Sequence, residues 1–290
     1  MTEKYIDLHV HSNASDGSMR PAEILELANN LNLSAVALTD HDTVSGIPEF
    51  MERGRNLPIH TIPGVEISAA LQSNEVHIVG LFIDYNSKSL NELLFRIRED
   101  RDRRNISMIS KLRSLGYEIS IDEVLAIAGG ETVGRPHFAQ ILMQKGYFSD
   151  VRDVFDNCLK RGAPAYCVRK IPKPEEVISE IHKAGGLAIW AHPVYKRSNP
   201  RPYVRQTLRK LKDMGIDGVE CYYSSYSPEQ QKMMLDITSD FNLLKSGGSD
   251  FHGQNQPSVS LGTGTGSLQV PESIYFELEA KVKERNKAEV

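Results

Sequence analysis

Cysteine is scarce in this chain of 290 residues. The three present, Cys158, Cys167 and Cys221, are odd in number and form no CxxC pair. A disulfide framework is therefore not expected, and free thiols in a reducing compartment are. A surplus of one charge is also missing. The 34 basic and 38 acidic residues leave a formal net charge of −4, so no global field draws long nucleic acid. No apolar run approaches the ~20 residues of a membrane span. The opening Met1-Thr2-Glu3-Lys4-Tyr5 passes into a strand without a signal-peptide pattern. No internal repeat or low-complexity tract interrupts the chain. These absences predict a cytoplasmic protein with no membrane contact and no obligate protein partner. What remains is an ordinary globular composition, 40% hydrophobic and 25% charged, in a chain long enough for one barrel with a small insertion.

Short apolar runs alternate with helical patterns. Strands are predicted over 5–8, 35–39, 59–67, 75–83, 187–191, 218–221 and 243–248, and helices over 20–31, 175–184, 204–214 and 228–241. That order predicts an α/β fold with a parallel sheet, closed or nearly closed. Residues 91–167 break the rhythm, reading as helices without core strands. They are expected to form a helical insertion domain capping a barrel built from 1–90 and 168–290.

The histidines and carboxylates cluster beside the apolar runs. They are His9 and His11, Asp16, Asp40-His41, Glu66, His77, His192, and Asp250 with His252. Residues two apart in a strand face one side, so His9 and His11 can enter one site. Mixed imidazole and carboxylate donors suit Zn, Mn or Fe and do not suit Ca. Any one histidine is more economically a core or surface residue. Nine candidates, delivered in clusters by several separate strands, instead predict a metal centre at one rim of a barrel. Nine donors suffice for two metals, or three if a carboxylate bridges. Such clusters serve phosphate ester hydrolysis, because they activate water and neutralise phosphoryl oxygens. Asp40 could be a ligand, a base or an orienter of a ligating histidine, and the last is favoured. Glu220 could reach the metals or only line the pocket.

The segments DLHVHSNASDGS (7–18), ALTDHDT (37–43), PGVEIS (63–68), VHIVGLFID (76–84), AHP (191–193) and GGSDFH (247–252) resemble the motifs of the PHP family, the polymerase and histidinol phosphatase family. The resemblance implies a distorted (β/α)7 barrel with up to three divalent metals, manganese first, with zinc, iron or magnesium as alternatives. It assigns His9, His11, Glu66 and Asp250 to one metal. Glu66, His77 and His192 go to a second, and Asp16, His41 and His252 to a third. Asp16, His41, His192, Asp250 and His252 are then expected to surround the reacting phosphate. GRPHFAQ (134–140) and RGAPAYC (161–167) are similar to the branch containing nucleoside 3′,5′-bisphosphate phosphatases and 5′→3′ exoribonucleases. The substrate implied is a phosphorylated nucleotide, such as pAp, or a short RNA oligonucleotide. Histidinol phosphate is the alternative substrate. A non-catalytic or accessory DNA polymerase module is the alternative of another class.

Within the insertion, Arg135 presents a planar fork suited to phosphate, with His137 beside it. Its plainer role is a solvated residue at a helix entry beside Pro136. Arg169 and Lys170 are secondary candidates where the chain returns to the barrel. The basic stretch from Arg96 to Arg113 is interrupted by acids and is expected to be a solvated helix face. The stretch from Lys196 to Lys212 follows His192 and is a candidate path for an anionic substrate. Tyr195, Tyr203, Tyr222, Tyr223 and Tyr226 are candidates for stacking on a base.

Overall fold

The computed structural model describes residues 4–72, 74–128, 132–194 and 199–288. Eight strands form one sheet: β1 (Tyr5–Val10), β2 (Ala35–Leu38), β3 (His60–Leu71), β4 (Asn74–Leu81), β5 (Leu187–Trp190), β6 (Gly218–Tyr223), β7 (Leu244–Gly248) and the two-residue β8 (Val270–Pro271). Their order is β7-β6-β5-β4-β3-β2-β1-β8. The sheet curls until β1 meets the segment after β7, where Val10 bridges Phe251. The result is a nearly closed, distorted barrel.

Ten α-helices are described around it: α1 (Pro21–Asn30), α2 (Ile47–Gly54), α3 (Lys88–Ser114), α4 (Ile121–Ala128), α5 (Arg135–Gln144), α6 (Val151–Val154), α7 (Pro174–Lys183), α8 (Pro200–Asp213), α9 (Pro228–Asp240) and α10 (Glu272–Ala288). Local chemistry fixes several entries. Pro228 opens α9, the Ser227 hydroxyl accepts from Gln230 N, and Gln230 Oε1 accepts from Ser227 N, a reciprocal cap.

The sheet is not all parallel. β4 runs antiparallel to both β3 and β5. β3 and β4 form a hairpin with only Gln72 and Ser73 between them, too short for the crossover helix that a parallel pair needs. The alternation of apolar residues that marks a strand is the same in either direction, so the reversal was not visible in it.

The core has three parts. Leu38, Ile67, Trp190 and Val219 pack against the outer helices through residues such as Ile24, Phe50, Ile181 and Leu208. Ile6, Leu8, Ala37, Leu81 and Ile189 meet Ile274 and Leu278 of α10. Burying each such side chain contributes about 1.5–3 kcal/mol. Met108, Leu112, Phe138, Leu142 and Leu159 form a third cluster. The 27-residue α3 belongs to two of these, since its Leu90, Leu93, Leu94 and Ile97 pack with the first. Position 91 thus falls inside a continuous helix.

Candidate metal centre

Each strand hands its donors to one rim. His9 lies within β1 and His11 just past its end; His41 follows β2, His192 follows β5, and Asp250 follows β7. Glu66 sits in the middle of the long β3. His77 departs from the expected pattern, because it precedes the apolar end of β4 rather than following it. The antiparallel direction of β4 explains this, since its entry faces the rim at which the parallel strands exit.

Three turns at the rim place non-glycine residues in the left-handed region: Asp42 (φ 55°), His192 (φ 32°) and Asp250 (φ 57°). Such backbone costs about 1–3 kcal/mol per residue and persists where neighbours over-determine it. Each of the three donates its N–H across the sheet: Asp42 to Glu66 O at 2.9 Å, His192 to Glu220 Oε2 at 2.7 Å, and Asp250 to His9 O at 2.9 Å. Two glycines permit close approach. A Cβ on Gly17 would lie 2.3 Å from His11 O, and one on Gly248 would lie 2.4 Å from His9 N.

Glu66 is the hub and is 1% exposed. Its Oε2 lies 3.2 Å from His9 Nε2, 3.3 Å from His11 Nε2 and 3.0 Å from His41 Nδ1. Its Oε1 lies 2.8 Å from His77 Nδ1 and 2.9 Å from His192 Nε2. Asp250 Oδ1 stands 3.1 Å from His11 Nε2 and 3.5 Å from His9 Nε2. Asp16 stands 3.2 Å from His252 Nε2 and 3.7 Å from His41 Nε2. Burial tends to raise the Asp16 carboxyl, but His252, His41 and His11 outweigh it and hold it well below the usual range.

All nine predicted donors therefore meet at one place. Eight of them form three overlapping groups: His9, His11, Glu66 and Asp250; His11, Asp16, His41 and His252; and His41, Glu66 and His77. In the last, His41 stands where the resemblance implies His192, although His192 touches the same Glu66 oxygen as His77.

The donor set fits divalent metal ions. His9 Nε2, both ring nitrogens of His11, His41 Nδ1 and Glu66 Oε2 are buried without a hydrogen-bond partner. Leaving so many polar atoms unsatisfied is costly unless a ligand takes them up. Bound among these residues, divalent ions supply an activated water and offset charge on phosphoryl oxygens.

The surrounding residues aim the donors. Glu220 resolves as an orienter: its Oε1 lies 2.6 Å from His9 Nδ1, which turns His9 Nε2 toward Glu66. Replacing Glu220 with Gln should weaken divalent-metal binding on the order of 10–100-fold, read by competition with a chelator. Unchanged affinity would remove Glu220 from the site. The Tyr223 hydroxyl donates to Asp250 Oδ2 at 2.7 Å and leaves Oδ1 for the histidines. Burial and Asp250 push this phenol far up, so it stays a donor. Asp40 holds a loop rather than a histidine. Its carboxylate accepts from Ser12 N (2.8 Å), Ser12 Oγ (2.7 Å) and Ser15 Oγ (2.5 Å), and so shapes the turn that carries Asp16.

A cavity of about 580 Å³ opens over the donors. His41, Glu66, His77, His192, Asp250 and His252 form its floor; Glu75, Arg135, Trp190, Tyr203 and Tyr223 stand in its walls. Arg135 Nη1 donates to Leu159 O at 3.3 Å, and its guanidinium lies 5.8 Å from the rings of Phe155 and Tyr166. His137 is buried, and its Nδ1 accepts from Gly134 N at 3.1 Å. Burial lowers its pKa, which keeps that nitrogen free to accept. Arg169 pairs with Asp42 Oδ2 at 3.2 Å and Glu75 Oε1 at 3.5 Å.

Other expectations are revised. Arg101 and Arg104 are buried, so the stretch from Arg96 to Arg113 is not wholly a solvated face. Tyr195, Lys196 and Arg197 lie outside the described residues. Further along that second basic stretch, Arg205 pairs with Asp240, Lys210 with Gln72, and Lys212 with Phe241 O. Arg205, Lys210 and Lys212 thus contact neighbouring elements and are not among the residues lining the cavity. Of the tyrosines, Tyr203 and Tyr223 reach the cavity wall. Tyr226 OH accepts from Val194 N at 3.3 Å, and Tyr222 packs on the core. The cysteines are free, and burial pushes Cys221 up to about 12.

The PHP domain family matches residues 7–167, more than half of the sequence. The chain belongs to the PHP family. A 5′-3′ exoribonuclease of Haemophilus influenzae is 36% identical to this PHP protein over 252 residues, covering 87% of this chain and 91% of that one. A 3′,5′-nucleoside bisphosphate phosphatase of Chromobacterium violaceum is 31% identical over 278 residues, covering 96% and 97%. A solved structure from Bifidobacterium adolescentis, described as a metal-dependent phosphoesterase, superposes with a TM-score of 0.84 at 29% identity over 96% of each chain. This PHP protein is a phosphoester hydrolase. No helix among the described residues is long and apolar enough to cross a membrane.

Proposed function

We propose that this PHP protein hydrolyses phosphate esters of nucleotides in the cytoplasm, taking nucleoside 3′,5′-bisphosphates such as pAp, the 5′ ends of short RNA, or both. One observation carries the reading. The wall of the metal-site cavity includes Arg135, from the helical segment, facing the same space as the donors. A substrate with one phosphate at the donors and a second against an arginine fits that arrangement, as do the substrates in the names of its two relatives. Residues 91–167 then cap the substrate over a barrel made of 1–90 and 168–290. Asp16, His41, His192, Asp250 and His252 surround the phosphate that is cut. Arg135 and Arg169 serve the one that is kept, with His137 holding the turn at the start of α5. Up to three ions occupy the site, and manganese suits its mixed donors.

The test is phosphate release from pAp, compared with degradation of a short 5′-phosphorylated RNA, after chelation and metal add-back. Activity on either, lost with chelator and restored best by Mn²⁺, is expected. Histidinol phosphate is the comparison substrate, and turnover of it alone would overturn the reading.

A further inference from the structure

We propose that Asp42 and Thr132 are positioning residues for His41, so that seating of the helical segment and completion of the donor set are one event. The proposal rests on the metal centre described above and does not depend on which nucleotide is cut. Some donors have an outer partner that aims the ring. Glu220 aims His9, and His252 Nδ1 lies 2.8 Å from Asp250 O. The His41 ring is placed differently. Its Nδ1 lies 3.0 Å from Glu66 Oε2 and its Nε2 3.7 Å from Asp16 Oδ2, so both nitrogens face fellow donors. Its aim then comes from the main chain that carries it. That aim matters twice, because His41 belongs to two of the three donor groups.

The barrel fixes one side of that main chain. His41 bridges Glu66 in parallel, Glu66 N donates to Asp40 O at 3.1 Å, and Asp42 N donates to Glu66 O at 2.9 Å. The helical segment and the chain leaving it fix the other side. Thr132 Oγ1, just ahead of α5, donates to His41 O at 2.7 Å. Arg98 Nη1 of α3 donates to Asp42 O at 2.8 Å. The Asp42 carboxylate accepts from Arg101 of α3, and Arg169 shares the same oxygen at 3.2 Å. Thr132, Asp42 and Arg101 are all buried, so water competes little for these bonds. Contacts from three separate stretches thus converge on two consecutive residues. The turn they grip is strained, since Asp42 is held at φ 55°. Release of the grip would let this backbone relax and turn the adjacent His41 ring away from Glu66 and Asp16. Linkage then works in both directions. The seated helical segment tightens metal binding, and bound metal holds the segment in place by the same factor.

The experiment uses the full-length protein, stripped of metal and titrated with Mn²⁺. Electron paramagnetic resonance of the free ion gives the affinity, and amide hydrogen exchange is followed with and without Mn²⁺. Thr132→Val removes one hydroxyl with little change of shape. Asp42→Asn removes the charge but keeps a side chain that tolerates left-handed backbone. Each should weaken Mn²⁺ binding on the order of tenfold, and Thr132→Ser should keep the wild-type affinity. In the wild type, Mn²⁺ should slow exchange across residues 98–105 of α3 by about the same factor, and in both variants that slowing should shrink. Unchanged affinity in both variants overturns the proposal, and a lowered Tm beside it assigns the two residues a purely structural role. Exchange in α3 that ignores Mn²⁺ overturns it as well. If Asp42→Asn does not fold, because Arg101 and Arg169 lose their buried counter-charge, the Thr132 pair decides. If the wild type binds no divalent ion, the metal centre itself fails. That result is distinct from ions bound equally well by wild type and variants, which sinks the positioning role alone.

Discussion

Exchange of Glu66 for Gln should lower kcat by about three orders of magnitude or more while the fold survives. The reason is the double use of this carboxylate. One oxygen faces His9, His11 and His41, and the other faces His77 and His192. An amide offers one weak acceptor and a donor in their place, so at least one side of the hub fails. Burial opposes the Glu66 charge, yet His41, His9 and His77 hold its carboxyl well below the usual range, as expected of a group that stays ionised. Metal content by mass spectrometry, with far-UV dichroism as the folding control, separates lost metal from lost structure. Asp16→Ala and His252→Ala should behave alike, since these two face each other at 3.2 Å. Turnover within tenfold of wild type in Glu66→Gln would remove the hub from catalysis.

Arg135→Ala should damage a bisphosphate or oligonucleotide much more than a generic aryl phosphate. A buried charged contact is worth ~2–5 kcal/mol on truncation, so kcat/KM on the doubly charged substrate should fall on the order of 30-fold or more. The guanidinium now rests on Leu159 O and between two aromatic rings, which holds it at the cavity wall without a carboxylate partner of its own in that set of contacts. Arg135→Lys should rescue only part of the loss, because an ammonium lacks the fork. Equal losses on both substrates would make Arg135 a structural residue of the α5 entry.

The donors were legible because each stands beside an apolar run, and titratable residues in such places are unusual. What they do together depends on strand direction, which periodicity does not record. His77 reached the rim only because β4 is reversed. The supporting residues were harder to read. Asp42 follows His41 in the same motif, but its partners Arg101 and Arg169 lie 59 and 127 residues away. Arg101 and Arg104 looked solvated because acids alternate with them along α3. The usable signal was spacing: both fall on the stripe between Ile97 and Met108, where a core residue was due. Glu220 stands within the apolar run of β6 and so was visible, but only contact with His9 decided its role.

The closure of the barrel also has a consequence for biosynthesis. His9 is made long before Asp250, yet the two share one group of donors, and their backbones are joined through Asp250 N and His9 O. A nascent chain that has not yet emerged past Asp250 therefore holds an open sheet with imidazoles and no complete first group. Pairing of such distant segments is slow, because a long loop must close before any contact repays it. Completion of the group holding His9, His11, Glu66 and Asp250 is thus tied to the emergence of the segment after β7, and the full donor set assembles only once that segment has been made.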